Sequence, residues 1–215
     1  KLIYDDIPDI QVIFTSSSLL DIFKGESDLS RRVSSYNLHE MSFREYLEFQ
    51  HGIRFPVVSF EKLIPDNEKI ALQYTNNFKP FQYFEAYLRH GAYPFYSGDE
   101  FDYHQKLLNT VNLVLDIDLP AVEGIEYSHV AKIKKLLFVL SENVPFTPNI
   151  SKLSESIKLN RNTLVQAIQM LEKAELLHSL YKKTRSVSVL NKPDKIWLHN
   201  TNLSSAISNR EPEKG

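Results

Sequence analysis

Apolar residues fall at helical spacing three times between residues 128 and 174: Val130, Ile133, Leu136, Leu137 and Leu140; then Leu153 and Ile157; then Leu164, Ile168 and Leu171. Intervals of three and four residues put each set on one face of a helix. Residues 128–141, 151–157 and 161–174 therefore read as helices, the last two joined by the turn Lys158-Leu159-Asn160. From Leu176 the period changes to two, and 176–181, 186–190 and 195–199 alternate as strands around the cationic run Lys182-Lys183-Thr184-Arg185. Three helices followed by a basic hairpin is the order of a winged helix, and 151–171 has the apolar spacing of a helix-turn-helix.

Upstream the pattern is mixed. Residues 1–6 read as the end of a helix and 7–9 as a turn. The run 10–14 reads as a strand that stops at Thr15, Ser16, Ser17 and Ser18. A short helical segment at 19–23 closes at Gly25, and 33–38 alternates as a second strand. Ser42 with Glu45 three residues on is a capping box, opening a helix over 43–50 that Gly52 stops. Residues 53–59 fit a loop or a short strand, with Pro56 against a central strand. Short helices at 59–64 and 67–74 flank Pro65-Asp66. A helix ending at His90 carries the stripe Phe81, Phe84, Tyr87 and Leu88, which reads as core rather than as a platform for bases. Residues 101–115 form a long helix, 116–127 a linker with Pro120 and Gly124, and 208–215 a polar, frayed tail. The fold class is mostly α with small β content.

The chain has no cysteine, which excludes a disulfide framework and thiolate metal sites. Its seven histidines form no H-x-x-x-H or H-E-x-x-H pair, so no metal site is expected. No apolar run approaches the roughly 18 residues that span a bilayer, and the first residues lack a signal-peptide layout. The expectation is a cytoplasmic protein with no membrane partner. Charge is unevenly spread: residues 1–150 hold 14 Lys/Arg against 21 Asp/Glu, whereas 151–200 hold 9 against 4. The second part is suited to an anionic partner.

Three stretches carry a resemblance: Thr15-Ser16-Ser17-Ser18, Leu29-Ser30-Arg31-Arg32 and Ser42-Phe43-Arg44-Glu45-Tyr46-Leu47. Their order resembles the later half of the ATPase core in AAA+ ATPases of the archaeal/bacterial ATPase group. Ser16 stands where that family usually has Gly. Tyr87-Leu88 with Gly91-Ala92-Tyr93-Pro94 is similar to the family's helical lid, and Lys195-Ile196-Trp197 through Leu203 to its hinge after the winged helix. The resemblance implies an ATPase-core remnant at 1–52, a helical lid and linker at 53–127, a winged helix at 128–203 and a polar tail at 204–215. It also implies a nucleotide-sensing role for Thr15, Ser16 and Ser17. Arg31 or Arg32 would be the arginine finger, reaching the nucleotide of a neighbouring copy in a homo-oligomeric parent. No G-x-x-x-x-G-K-[ST] loop and no strand ending in paired acids is in the sequence, so nothing cradles phosphates or helps to hold Mg²⁺. The expectation is a fragment with no cofactor of its own, whose parent binds ATP and Mg.

Each of these residues also has a plainer reading. Ser and Thr favour helix N-caps for backbone reasons alone, and Arg31 and Arg32 suit a solvated turn or a pair with Glu26 or Asp28. The alternative function is a free-standing winged-helix DNA-binding regulator with a ligand- or partner-sensing N-terminal half. In that reading Arg161, Asn162, Thr163 and Gln166, at the start of the third helix, meet base edges, while Lys182, Lys183 and Arg185 meet phosphates.

Overall fold

The computed structural model describes residues 6, 7, 9–13, 15, 34, 36–76, 78–120, 126–143, 146–181 and 193–208. Among them the chain is mostly helical, with one two-stranded sheet. The fold divides into two compact units: Leu38–Gln105, and a second that holds the described residues up to Asn37 and from Lys106 onward.

In the first unit, α1 (Phe43–His51) starts with both halves of the expected capping box: the Glu45 N–H donates to the Ser42 hydroxyl, and the Ser42 N–H donates to the Glu45 carboxylate at 2.8 Å. The Ser42 hydroxyl also donates to that carboxylate, and this bond, followed by the backbone one, holds the Glu45 carboxyl below its usual range. Gly52 ends the helix at φ 67°, a left-handed conformation open to glycine at little cost. α2 (Phe60–Thr75) joins the two helices expected on either side of Pro65-Asp66 and kinks at Asp66, where φ and ψ leave the helical region. α3 (Phe81–His90) packs on α1.

The contact between α1 and α3 is aromatic. The Phe43 ring meets Phe84 edge-on at 5.2 Å and Tyr87 at 5.3 Å, and Tyr46 lies 5.5 Å from Tyr87. The Tyr87 O–H donates to the Met41 carbonyl at 2.9 Å, and the Met41 N–H donates to the Ala92 carbonyl at 2.8 Å. Gly91 fits against the Tyr46 and Tyr87 rings so closely that a Cβ there would stand 2.4 Å from a Tyr87 ring carbon. The stripe read as core is only partly so. Tyr87 and Leu88 are half-buried, but Phe81 is 85% exposed, because at the first position of α3 it precedes the turn that meets α1.

In the second unit, α4 (Glu100–Leu113) enters from the first and continues through a π-helical turn, Val114–Asp118. Leu107, Val111, Leu115 and Leu119 are all buried. In a pure α-helix a four-residue spacing drifts about 40° per step, and the wider π turn offsets part of that drift. The first residues of the expected linker are therefore helical, with Leu119 in the core. α5 (Tyr127–Glu142) buries Val130, Ile133, Leu136, Leu137 and Leu140, the full stripe expected from the sequence. It packs against the π turn, α6 (Ile150–Ile157), β2 (Lys195–Leu198) and α8 (Thr201–Ser208). α7 (Arg161–Lys173) leads into β1 (Leu177–Leu180), which pairs antiparallel with β2, Leu177 opposite Leu198. Phe146 extends the sheet on the other side of β2, exchanging two hydrogen bonds with Ile196 at 3.0 and 2.9 Å.

Several expectations differ from what is observed or fall outside it. Residues 10–13, 34 and 36–38 lie in no strand, and Ile13 and Leu38 are 95% and 99% exposed. Alternation makes a strand only where a ladder partner and a covered face exist. The segment 19–23, the hairpin residues 182–190 and the tail 209–215 lie outside the described residues. α8 crosses the boundary placed at 203. It buries Asn202, Leu203, Ala206 and Ile207, and the Asn200 carboxamide caps it by accepting from the Leu203 N–H at 3.0 Å.

One group in the first unit couples its stability to pH. The His90 ring stacks on Tyr96 at 3.8 Å, and its Nδ1 is buried with no hydrogen-bond partner among the described residues. Burial holds this imidazole below its ordinary value, with Glu100 acting in the opposite direction. A group depressed on folding contributes stability that is complete above its unfolded value, about 6.5, and is lost as pH falls toward the folded value. Thermal melts followed by tyrosine near-UV signal are expected to show a lower midpoint at pH 5.5 than at pH 7.5. A smaller pH difference is expected in His90→Phe, and an equal difference in both proteins would contradict this assignment.

Candidate nucleic-acid interface

The surface built by α6, its turn and α7 holds four of the sequence-predicted site residues. The Asn149 carboxamide caps α6, accepting from the Lys152 N–H at 3.2 Å. The helix ends where Lys158 turns left-handed at φ 56°, its N–H donating to the carbonyl of Glu155. Leu159 then drops into the core, and the Asn160 carboxamide starts α7 by accepting from the Thr163 N–H at 2.8 Å. A capped turn of this length fixes the direction in which α7 leaves, and such a cap is worth about 0.5–2 kcal/mol.

α7 is two-sided. Leu164, Ala167, Ile168, Met170 and Leu171 are buried, while Arg161, Asn162 and Gln166 are exposed together on the opposite face. Thr163 is half-buried, placed on the side that meets the core. Gln169 continues the exposed face, and Lys152 and Lys158 stand exposed on α6 and its turn. Sequence reasoning passed over these three. The signal for Gln169 was its position seven residues beyond Asn162, two helical turns along one face. Lys152 and Lys158 belong to the helix and turn that precede α7 in the same motif.

The face has the composition that duplex recognition uses. Amide side chains, the type present at Asn162 and Gln166, are able to pair with adenine edges, and a guanidinium with guanine O6 and N7. The first amides of α7 leave a partial positive charge suited to phosphate. Glu155 is the exposed acid of α6, so the patch is mixed and weakly cationic.

The other predicted residues are not brought to this face. Lys182, Lys183 and Arg185 lie outside the described residues, as do Ser16, Ser17, Arg31 and Arg32. Thr15 is exposed and belongs to no helix or strand. A nucleotide site cannot be assembled from what remains: the sequence holds no phosphate loop, and an exposed threonine hydroxyl alone does not cradle phosphates. These residues do not fit ATP and Mg²⁺ by themselves. No helix of the described residues is long and apolar enough to cross a membrane.

A family model described as a domain of unknown function (DUF8612) matches residues 81–214. An uncharacterized protein of Methanocaldococcus jannaschii is 27% identical over 181 residues, which is 82% of this chain and 38% of that protein. The chain thus spans well under half the length of the curated relative it matches. No solved structure matches the chain.

Proposed function

We propose that this chain, which belongs to the DUF8612 family, uses residues 127–208 as a winged helix that docks on duplex DNA through the start of α7. The observation that carries this reading is the sheet order Phe146, β2, β1 behind the helix order α5, α6, α7. An extended residue between the first two helices, paired to the strand that lies beside β1, is a feature that a winged helix has and a plain three-helix bundle lacks, which supports this reading. The sheet and α5 hold α6 and α7 so that the polar face of α7 is left uncovered. Arg161, Asn162 and Gln166 then read base edges in the major groove, and Thr163 supports them from the half-buried side. Lys152, Lys158 and the hairpin cations Lys182, Lys183 and Arg185 contact phosphates.

A second reading rests on a different contact. The two stretches that resemble the ATPase core and its lid, 42–47 and 87–94, pack on each other through the Phe43–Tyr87 and Tyr46–Tyr87 ring contacts and the close seat of Gly91, and Met41, just before the first stretch, hydrogen-bonds with Tyr87 and Ala92. We propose on that basis that the chain is the lid and winged-helix part of a larger, cytoplasmic, AAA+-type homo-oligomer whose other residues bind ATP and Mg²⁺. In it Thr15, Ser16 and Ser17 sense nucleotide, and Arg31 or Arg32 acts in trans. The two readings are compatible, the winged helix being what nucleotide state would move.

Fluorescence anisotropy on random-sequence duplex DNA, from low to moderate salt, tests the first reading. Five phosphate-contacting cations displace about five counterions, for a log–log salt slope of about −4.5. Replacing Lys182, Lys183 and Arg185 together by Ala is expected to flatten that slope and to weaken binding to every sequence alike. Arg161→Ala or Asn162→Ala is expected to alter sequence preference instead. Absence of binding at low salt would make the winged helix a mechanical or protein-docking element. For the second reading, isothermal titration of these 215 residues with ATP and Mg²⁺ is expected to give no heat of binding. Micromolar binding with phosphate release would contradict it.

A further inference from the structure

We propose that the unit Leu38–Gln105 carries a docking site for an acidic amphipathic helix of a partner protein. The helix seats an apolar side chain in the hollow between α1, α2 and residues 55–58, and sets a carboxylate on Arg44. The hollow measures about 310 Å³, with walls that include Phe43, Leu47, Phe55, Leu63, Ile70 and Phe78. Two hydroxyls line it, and both are already used: the Tyr74 O–H donates to the Pro56 carbonyl at 3.1 Å, and the Thr75 O–H to the Ala71 carbonyl at 2.8 Å. Arg44 is the remaining polar side chain of the lining, exposed and with no ion pair among the described residues. A guanidinium in that position selects a carboxylate, which it can hold with two parallel hydrogen bonds.

The surroundings choose a helix over a small amphiphile. α2 runs sixteen residues without a single buried side chain, whereas helices of that length draw most of their stability from packing one face. Val57, Phe60, Ile64 and Leu72 are 77%, 69%, 61% and 61% exposed. A ligand filling only the hollow would leave these side chains in water. Large apolar side chains left exposed beside a hollow mark an interaction site, and a hollow next to a helix that exposes them is the geometry of helix-in-groove docking. Arg44, whose charge also acts on Glu45 beside it, is the charged side chain of the lining and favours a carboxylate over an ammonium on the partner.

The test uses the intact chain and two fluorescein-labelled amphipathic peptides of about four helical turns, with Leu at helical spacing and either Glu or Lys flanking the central Leu. A charge-assisted hydrogen bond distinguishes them by about tenfold or more in Kd. The Glu peptide is expected to bind more tightly by that factor, Arg44→Glu to reverse the preference, and Leu63→Asp to remove binding with an unchanged far-UV spectrum. Equal affinity for both peptides, or a preference that survives Arg44→Glu, would overturn the proposal as non-specific apolar adhesion. Failure of either peptide to bind would also overturn it. So would sedimentation showing a dimer that Leu63→Asp dissolves, since the face would then belong to a second copy of the chain. None of these outcomes depends on DNA binding by the winged helix.

Discussion

Burial of one helical stripe, Val130, Ile133, Leu136, Leu137 and Leu140 of α5, is the constraint on which the second unit depends. The π turn, α6, β2 and α8 all pack onto this helix, and Ile133, Leu136 and Leu140 have no exposed surface at all. Each such side chain contributes about 1.5–3 kcal/mol against leaving it in water. With α5 as the common support, α7 need bury only one face, against α6 and β1. The other face is left free to carry polar side chains that stability does not require, and a functional surface can occupy it.

The two units show opposite ways of leaving surface uncovered. On α7 the exposed side chains are polar, and water satisfies them until a partner arrives. On α2 the exposed side chains include Phe60, Ile64 and Leu72, which water does not satisfy. The first pattern suits an electrostatic, reversible partner such as nucleic acid, and the second suits burial against another protein.

Much of this was legible in the sequence, for physical reasons that differ by element. The helices α5, α6 and α7 were readable because their apolar residues follow one period without interruption, and α1 because Ser42 and Glu45 supply both halves of a cap. Arg161, Asn162 and Gln166 were readable as exposed because they fall between the apolar positions of α7. The π turn was hidden by Pro120 and Gly124, which suggested a linker from 116 onward although Leu115 and Leu119 continued the stripe of α4. α8 was hidden because 195–203 were read as a hinge, whereas Asn200 is a helix cap. Phe81 shows the opposite error: it satisfies the helical period, yet it sits at the first position of its helix and is 85% exposed. The exposed apolar face of α2 was invisible to periodicity, which says that a face exists and not whether anything covers it.

Amide hydrogen exchange on the intact chain, with and without duplex DNA, tests the central claim most directly. The account predicts that the amides of α5 and β2 are the slowest and exchange together in both states, since one stripe holds them. It also predicts that DNA slows exchange in the first turn of α7 while leaving α2 unchanged. Protection by DNA that fell on α2 or on residues 38–58, or α5 amides that exchanged earlier than those of α7, would contradict it.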